Sequence, residues 1–446
     1  MIGRLAEVLR RADRTAGGLA GDLALYAVST VFALLTATSS TLEPHRDWGR
    51  IALVGYAAAA LCVVGQLIGH AVTGRRNTGP GIPVRRVGAR AALTGLTWVA
   101  AVLVPLVAQA VSGRRQEEVT VVERAGQRLL DTGTPYLGRA AIASLPPDER
   151  ILGYVPYQPG MALFGLPRAL VGDAWWTDAR VWFALVTAIA LVIALRLLAV
   201  RADGAALVRA GQAVTVLPIC ALTLAVGGDD LPVLGLCLLA LAFAARGRFA
   251  GSGVAIGVAG ALKLFAWPVA AVLLVVAATR GRTTRYAVPA VGLPLLAVVP
   301  ALVVDPAAAA ENLVAFPLGH GLVASPAASP FPGHLIAASV PGGRFIATAL
   351  LAAAGLAICW WLLRRPPRDA AAAALICASG LTAAIALLPT TRFGYLLYPI
   401  AYLVWRPALG AVPPIPSPAA TPADPPRCNT PSISSRSAAT GRTQGG

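Results

Sequence analysis

The residues best suited to chemistry in this chain are two adjacent glutamates, Glu117 and Glu118, in a polar stretch between strongly hydrophobic segments. In this stretch, QEEVTVVERAGQRLLDTGTPYL (116–137), apolar residues recur at three- and four-residue spacing. The pattern predicts an amphipathic helix over Glu118–Leu130 that lies at a membrane surface. A carboxylate held there can act as a general base. The alternative is structural, because acidic residues in the first turn of a helix interact favourably with its dipole.

The elements that must position these glutamates belong to a membrane protein. Of the 446 residues, 57% are hydrophobic and 13% are charged, whereas a soluble domain carries about 25% charged residues. A spanning helix needs about 20 apolar residues, and the pattern predicts an all-α polytopic protein with about twelve spans. The predicted spans are Leu23–Ser40, Ile51–Thr73, Ala91–Val111, Arg180–Ala199, Ala206–Val226, Leu231–Ala245, Ala250–Leu262, Ala266–Thr279, Tyr286–Val304, Phe345–Leu363, Ala370–Leu388 and Phe393–Trp405. The short, proline-bearing segment Pro156–Val171 predicts an interfacial or re-entrant helix instead.

The net charge of +17 reflects membrane topology and not a nucleic-acid partner, because many arginines lie in short loops between predicted spans. Positive charge marks cytoplasmic loops, so the basic segments are expected inside and the acidic loops outside. The basic segments are 74–90, 246–248, 280–285 and 364–368. Two long outer loops follow from this arrangement, at about 112–178 and 305–344, and long loops in compact proteins tend to carry function.

The two ends of the chain are both predicted to be cytoplasmic. Several arginines precede the first span, which is typical of an uncleaved anchor with its N-terminus inside. The membrane domain is expected to cover residues 1–406. The Pro-, Ser- and Thr-rich remainder, 407–446, predicts a disordered tail. The six cysteines and four histidines show no metal or redox spacing, so neither a metal nor another cofactor is expected.

Residues 118–167 resemble the first outer loop of GT-C membrane glycosyltransferases. The similarity is narrowest to the polyprenyl-phosphate-mannose-dependent mannosyltransferases of glycosyltransferase family eighty-seven, of actinobacterial type. It rests on Glu118, on Val121–Val122 with Ala125, on LLDTGTPY (129–136) and on YQPGMALFGLP (157–167). It extends to GGDDLPVLGLCLLALAFAARGR and GVAIGVAGALKLFAWP. The family's acid is usually aspartate, whereas this chain carries glutamate.

The resemblance implies a GT-C-like helical bundle in the bacterial plasma membrane with its active site on the outer face. It implies an inverting transfer of a hexose, mannose in this family, from polyprenyl phosphate to a lipid or glycan acceptor. Polyprenyl phosphate is already a good leaving group, so one carboxylate base is sufficient. Glu118 is assigned this role, with Glu117 as the backup. The departing phosphate also requires cations nearby.

Lys263 and Arg392 are the two leading candidates for those cations. Lys263, which is the only lysine, interrupts a long apolar run, where a charge costs roughly 2.5–3.5 kcal/mol on insertion scales. The functional hypothesis pairs it with the donor phosphate, and the structural one lets it snorkel from a turn between two short helices. Arg392 lies at an outer span end beside Tyr395 and Tyr398, where interfacial anchoring is the alternative.

A further set of residues is expected to bind substrate. Asp229 and Asp230 follow a Gly-Gly pair at an outer end, where they could bind sugar hydroxyls or a divalent ion. The alternative, which the residues alone favour, is a solvated helix N-terminus. Tyr136 and Tyr157 are candidates for stacking on sugar or for anchoring at the interface. Arg124, on the predicted amphipathic helix, is the last candidate.

The competing function is that of a membrane transporter or lipid flippase. Transporters place ionisable residues in mid-membrane and often contain paired repeats. Apart from Lys263, this sequence shows neither feature. The expected partners are therefore a polyprenyl-phosphate sugar donor, the acceptor and the surrounding lipids.

Overall fold

The computed structural model describes residues 15–73 and 82–410, and within these ranges the chain forms helices and no β-strand. A single isolated bridge joins Ala328 to Thr391. The predicted all-α class is confirmed. Its physical reason is that a helix satisfies its backbone hydrogen bonds internally, which a lipid environment requires. Residues 74–81 of the first basic segment and residues 411–446 of the predicted tail lie outside the described residues.

Seven helices of the described ranges are long and apolar enough to cross a membrane. They are Leu19–Ser39, Glu43–Gly69, Val87–Ser112, Ala179–Ala199, Thr283–Val304, Gly343–Arg364 and Ala370–Leu387. A pair of helices, Gly204–Thr215 and Pro218–Val226, makes an eighth span if it is counted as one, with a bend of 43°. Pro218 begins the second helix of this pair and cannot continue the hydrogen-bonding pattern of the first. The predicted count of about twelve spans is not confirmed.

The shortfall comes from predicted spans that form short helices. These helices are Asp230–Ala245, Phe249–Leu262, Ala266–Thr279 and Leu397–Gly410. They have 16, 14, 14 and 14 residues, fewer than the roughly 20 that a span needs. The first of them, here called the central helix (Asp230–Ala245), is buried along nearly its whole length among other helices. The last continues through Pro407 to Gly410, beyond the domain boundary expected at residue 406.

Short elements complete the described fold. The helices among them are Arg139–Ala143, Arg150–Gly153, Leu166–Val171, Pro306–Ala310 and Pro332–Ser339, and the 3₁₀ turns are Thr15–Gly18, Pro159–Gly165, Trp175–Thr177 and Phe393–Leu396. Helix Ile82–Trp98 continues through a π-helical segment, Val99–Leu103, into Val104–Ser112, and a second π-helical segment covers Glu311–Ala315. Helix Glu43–Gly69 extends to Thr73. The predicted interfacial segment Pro156–Val171 forms the 3₁₀ turn Pro159–Gly165 and the helix that follows it.

The amphipathic helix predicted over Glu118–Leu130 is present as Glu117–Thr132, here called the loop helix. Its apolar face is buried against the segment 159–171 of the same protein. The approach is very close at two glycines: a Cβ on Gly126 would lie 2.4 Å from the carbonyl carbon of Gly165. Any side chain there would force the backbones apart, so these glycines set the distance between the loop helix and its support.

Candidate active site

The start of the loop helix forms one wall of a cavity of about 700 Å³. The other walls come from the N-terminus of the central helix, the helix break at Lys263 and the segment before Leu397–Gly410. Seven of the expected site residues line this cavity: Glu117, Glu118, Tyr157, Asp229, Asp230, Lys263 and Arg392. Residues from both predicted long loops contribute to the lining.

Glu118 forms an ion pair with Arg392 on the cavity wall, through Oε1 and a terminal guanidinium nitrogen. The Glu118 side chain is 14% exposed and that of Arg392 is 36% exposed. The backbone near each of these two residues is held in place by a hydrogen bond. The Gln116 N–H donates to the Val226 carbonyl oxygen at 3.1 Å, and the Thr391 N–H donates to the Ala327 carbonyl oxygen at 2.9 Å. Arg392 therefore does more than anchor the chain at an interface.

The surroundings of Arg392 favour its charged form. Burial alone would lower the pKa of Arg392, but the Glu118 carboxylate together with Tyr395 and Tyr157 outweighs that effect and raises the pKa above its usual value. A guanidinium carries five N–H donors, and Glu118 takes the one that the ion pair uses. Arg392 therefore keeps donors for a second anionic group at the cavity wall.

A second charged group consists of Lys263, Asp229 and Asp230, here called the lysine triad. Lys263 lies in extended backbone between Phe249–Leu262 and Ala266–Thr279. Its Nζ donates to Asp229 Oδ2 at 2.8 Å and to Asp230 Oδ1 at 2.6 Å.

The lysine triad corrects two structural interpretations of the sequence. All three side chains are less than 10% exposed, so the aspartates are not a solvated helix N-terminus and Lys263 does not snorkel. The ammonium is already paired with two carboxylates, which leaves the triad with one net negative charge. A buried charge needs such partners to offset its desolvation.

Aromatic side chains surround the Lys263 ammonium. Its Nζ lies 5.3 Å from the centre of the Tyr157 ring, 5.5 Å from that of Tyr395 and 6.0 Å from that of Phe265, within the range of cation–π attraction. The loop that carries Tyr157 is fixed to the helix break, since the Gln158 N–H donates to the Leu262 carbonyl oxygen at 3.1 Å.

Two of the expected site residues do not line the cavity. The buried Tyr136 hydroxyl donates to the Tyr157 carbonyl oxygen at 2.8 Å, so Tyr136 supports the backbone of a cavity residue. Arg124 pairs with Glu149 at 2.9 Å, and both side chains are largely exposed. The Arg124 contact depends on which face of the loop helix meets its neighbours, so residue type alone did not reveal it.

Two polar cavity residues were missed by the sequence analysis. His45 and Gln116 line the cavity, and the His45 Nε2 and Gln116 Nε2 atoms lie 2.7 Å apart. They are separated by 71 positions in the chain. No local pattern connects residues so far apart, and the single signal was the position of Gln116 directly before the two glutamates.

Not every acid of the loop helix faces the cavity. Glu123 is buried and accepts from Arg115 at 2.6 Å, from Arg168 at 3.0 Å and from the Ala179 N–H at 3.2 Å. Burial raises the pKa of Glu123 although both arginines oppose the shift. This glutamate joins the loop helix to its neighbours, and both of its carboxylate oxygens accept hydrogen bonds from them.

The second long loop is joined to the first by Glu311. Its Oε1 accepts from Arg139 at 3.1 Å and from the Tyr154 hydroxyl at 2.8 Å. The Tyr154 ring stacks on Phe316, with ring centres 4.1 Å apart, and Phe316 lines the cavity. Within the described residues no group of three or more His, Cys, Asp and Glu side chains has the geometry of a metal site.

Comparisons with known proteins give one family and a partial similarity to solved structures. Two solved structures of ArnT from Cupriavidus metallidurans, one bound to undecaprenyl phosphate and one in the apo state, are 17% and 19% identical to this chain. Their TM-scores are 0.46 and 0.44, and the matches cover 75% and 72% of this chain. This chain spans 60% of the length of each ArnT chain. A search of curated proteins found no match.

The family comparison is more extensive. The model of glycosyltransferase family 87 matches residues 154–391, more than half of the 446 residues. The matched range contains the lysine triad and Tyr157, begins after Glu118 and ends directly before Arg392. It confirms the family to which the sequence motifs pointed: the chain belongs to glycosyltransferase family 87.

Proposed function

We propose that this protein transfers a hexose from a polyprenyl-phosphate donor to a hydroxyl group of a lipid or glycan acceptor, with inversion at the anomeric carbon. Mannose is the proposed sugar, on the strength of the family resemblance. The observation that carries the proposal is the Glu118–Arg392 ion pair on the wall of the cavity. It combines a proton acceptor with a cation that has donors to spare.

In the proposed reaction, the acceptor oxygen attacks the anomeric carbon while the bond from that carbon to the phosphate oxygen breaks. The electron pair of the broken bond leaves with the polyprenyl phosphate. Glu118 takes the proton of the acceptor hydroxyl, because a carboxylate on the cavity wall can act as a general base. Arg392 offers its remaining N–H groups to the phosphate as negative charge develops there.

We further propose that the cavity opens at the outer face of a bacterial plasma membrane, with both termini cytoplasmic. The central helix begins at the cavity with Asp230 and ends beside the basic segment 246–248. Helix Phe249–Leu262 starts next to that segment and returns to the cavity at Lys263. Cavity and basic segment thus lie at opposite ends of these helices, and positive segments are retained inside.

The proposal is tested by sugar transfer with membranes that contain the full-length protein. Radiolabelled polyprenyl-phosphate-mannose is supplied with a lipid extract of the host, and label in a new product is measured. Glu118→Gln keeps the size and polarity of the side chain but removes the base, so transfer should fall by about 10²–10⁴-fold. Glu149→Gln is the matched control, because Glu149 pairs with Arg124 away from the cavity, and it should transfer at the wild-type rate.

Equal transfer by wild type and Glu118→Gln would remove Glu118 as the base and move attention to Glu117. Failure of the wild type with mannose, glucose and galactose donors would contradict the proposed donor class. In that case the transporter or flippase hypothesis would be examined by following movement of the lipid across the membrane.

A further inference from the structure

We propose that the lysine triad, together with Tyr157 and Tyr395, is the subsite that recognises the sugar ring of the donor and determines which hexose is transferred. The phosphate then lies at Arg392. This inference rests on the proposed function, since it assumes a polyprenyl-phosphate sugar as the ligand. It assigns Lys263 to the sugar and not to the phosphate.

The charge of the lysine triad favours hydroxyl groups over a phosphate. Counted formally, two carboxylates and one ammonium carry one net negative charge, which disfavours a phosphate and favours hydroxyl donors. Each carboxylate retains one oxygen, Oδ1 of Asp229 and Oδ2 of Asp230, that makes no hydrogen bond among the described residues. The ammonium has three donors and uses two of them on these carboxylates. Two acceptors and one donor therefore remain for the hydroxyls of a sugar.

The orientation of the triad is fixed by the surrounding protein. Asp230 Oδ1 also accepts from the Tyr398 hydroxyl at 2.8 Å. Phe265 stacks on the Tyr398 ring, with ring centres 5.2 Å apart. A group held from several sides discriminates between hydroxyl positions, because a misplaced hydroxyl leaves buried polar atoms without partners.

Tyr157 supplies an independent observation that points to a ligand. Its side chain is 6% exposed and lines the cavity, and its hydroxyl makes no hydrogen bond among the described residues. The hydroxyl interacts electrostatically with Asp229 of the triad and also with Glu118 and Arg392 of the ion pair. It is therefore close to both charged groups, and we place the bond between sugar and phosphate beside it. Burial raises the pKa of Tyr157 well above its usual range, so the hydroxyl remains a proton donor.

The rings of Tyr157 and Tyr395 complete the subsite. Both lie within 6 Å of the ammonium, and both residues line the cavity. Aromatic faces beside a small number of fixed polar groups are the usual composition of a pocket that orients a small ligand. A purely structural ion group would be enclosed by packed side chains and would not border a cavity.

The test compares binding of three lipids to the full-length protein in lipid nanodiscs: polyprenyl-phosphate-mannose, polyprenyl-phosphate-glucose and unsubstituted polyprenyl phosphate. Wild type should bind one sugar-bearing lipid at least about tenfold more tightly than the unsubstituted lipid, which is the contribution of one or two hydrogen bonds to charged groups. Asp229→Asn should abolish most of that preference without weakening the binding of unsubstituted polyprenyl phosphate. Asp131→Asn, which alters an aspartate that bonds Gln127 outside the cavity lining, is the matched control.

The subsite proposal would be overturned if Asp229→Asn weakened the binding of all three lipids equally, or if it changed the binding of none of them. Tyr157→Phe provides a second variant whose folding is not at issue, because the hydroxyl it removes has no partner among the described residues. It should reduce the preference for the sugar-bearing lipid without affecting the unsubstituted one. A wild type that discriminates between sugars but transfers none would contradict the proposed function and leave the subsite in place. A wild type that binds all three lipids equally would overturn the subsite even if transfer occurs.

Discussion

Two sets of paired charges in this protein both join acidic to basic side chains but differ in what surrounds them. At the cavity, the lysine triad and the Glu118–Arg392 pair retain unused donors and acceptors. Away from the cavity, Asp22 accepts from Arg90 at 2.6 Å and 3.1 Å, from Arg209 at 2.6 Å and from Gln212 at 3.0 Å. Both of its oxygens are occupied, and the Asp22 and Arg90 side chains are 2% and 1% exposed.

The comparison shows that burial and pairing do not by themselves mark a functional site. The Asp22 group fastens helix Leu19–Ser39 to the helices that carry Arg90 and Arg209, and none of its residues lines the cavity of the candidate active site. The cavity groups are held as firmly but keep atoms free for a ligand. Substitutions in the first group should therefore reduce stability, and those in the second should reduce transfer.

The largest effect is expected at Asp22. Asp22→Asn leaves Arg90 buried without a counter-ion, which should cost roughly 3–5 kcal/mol of unfolding free energy. Thermal unfolding of the purified protein in detergent measures this, with Asp131→Asn as the exposed control. The transfer rate per folded molecule should stay at the wild-type value. If the Asp22→Asn protein were as stable as the wild type but had lost sugar transfer, the Asp22 group would have a functional role and the comparison would be wrong.

The next effect is expected at Arg392. Arg392→Gln should lower the rate of sugar transfer by about 10²–10³-fold, because it removes the donors that stabilise the departing phosphate. Stability should change little, since the side chain is partly exposed. Arg392→Lys should recover only part of the rate, because one ammonium cannot reproduce the planar fork that reaches a carboxylate and a phosphate together. Full recovery with lysine would show that charge alone is sufficient.

The smallest effect is expected at Arg124, which the sequence analysis expected to bind substrate. Its partner Glu149 is 43% exposed and its own side chain is 40% exposed. Arg124→Gln should therefore change the unfolding free energy by less than about 0.5 kcal/mol and leave sugar transfer unchanged. A clear loss of transfer would restore the original prediction and place part of the substrate outside the cavity.

Local features were predicted well from the sequence. The amphipathic helix beginning at the two glutamates is present, because its apolar spacing is a property of consecutive residues. The apolar runs on either side of Lys263 are separate helices, as expected. The number of spans was overestimated because hydropathy measures only how apolar a segment is. A short helix such as Asp230–Ala245 is apolar because other parts of the protein surround it, and it is shorter than a spanning helix.

The composition and local spacing by themselves determined that this is a helical membrane protein with acids at the start of a loop helix, and the resemblance of its motifs pointed to a known glycosyltransferase family. The tertiary structure alone decided which charges meet. Glu118 and Arg392 are 274 positions apart, and the partners of Lys263 lie on another helix. The physical reason is that an ion pair depends on how helices and loops pack against one another, and no periodicity within one segment encodes that packing.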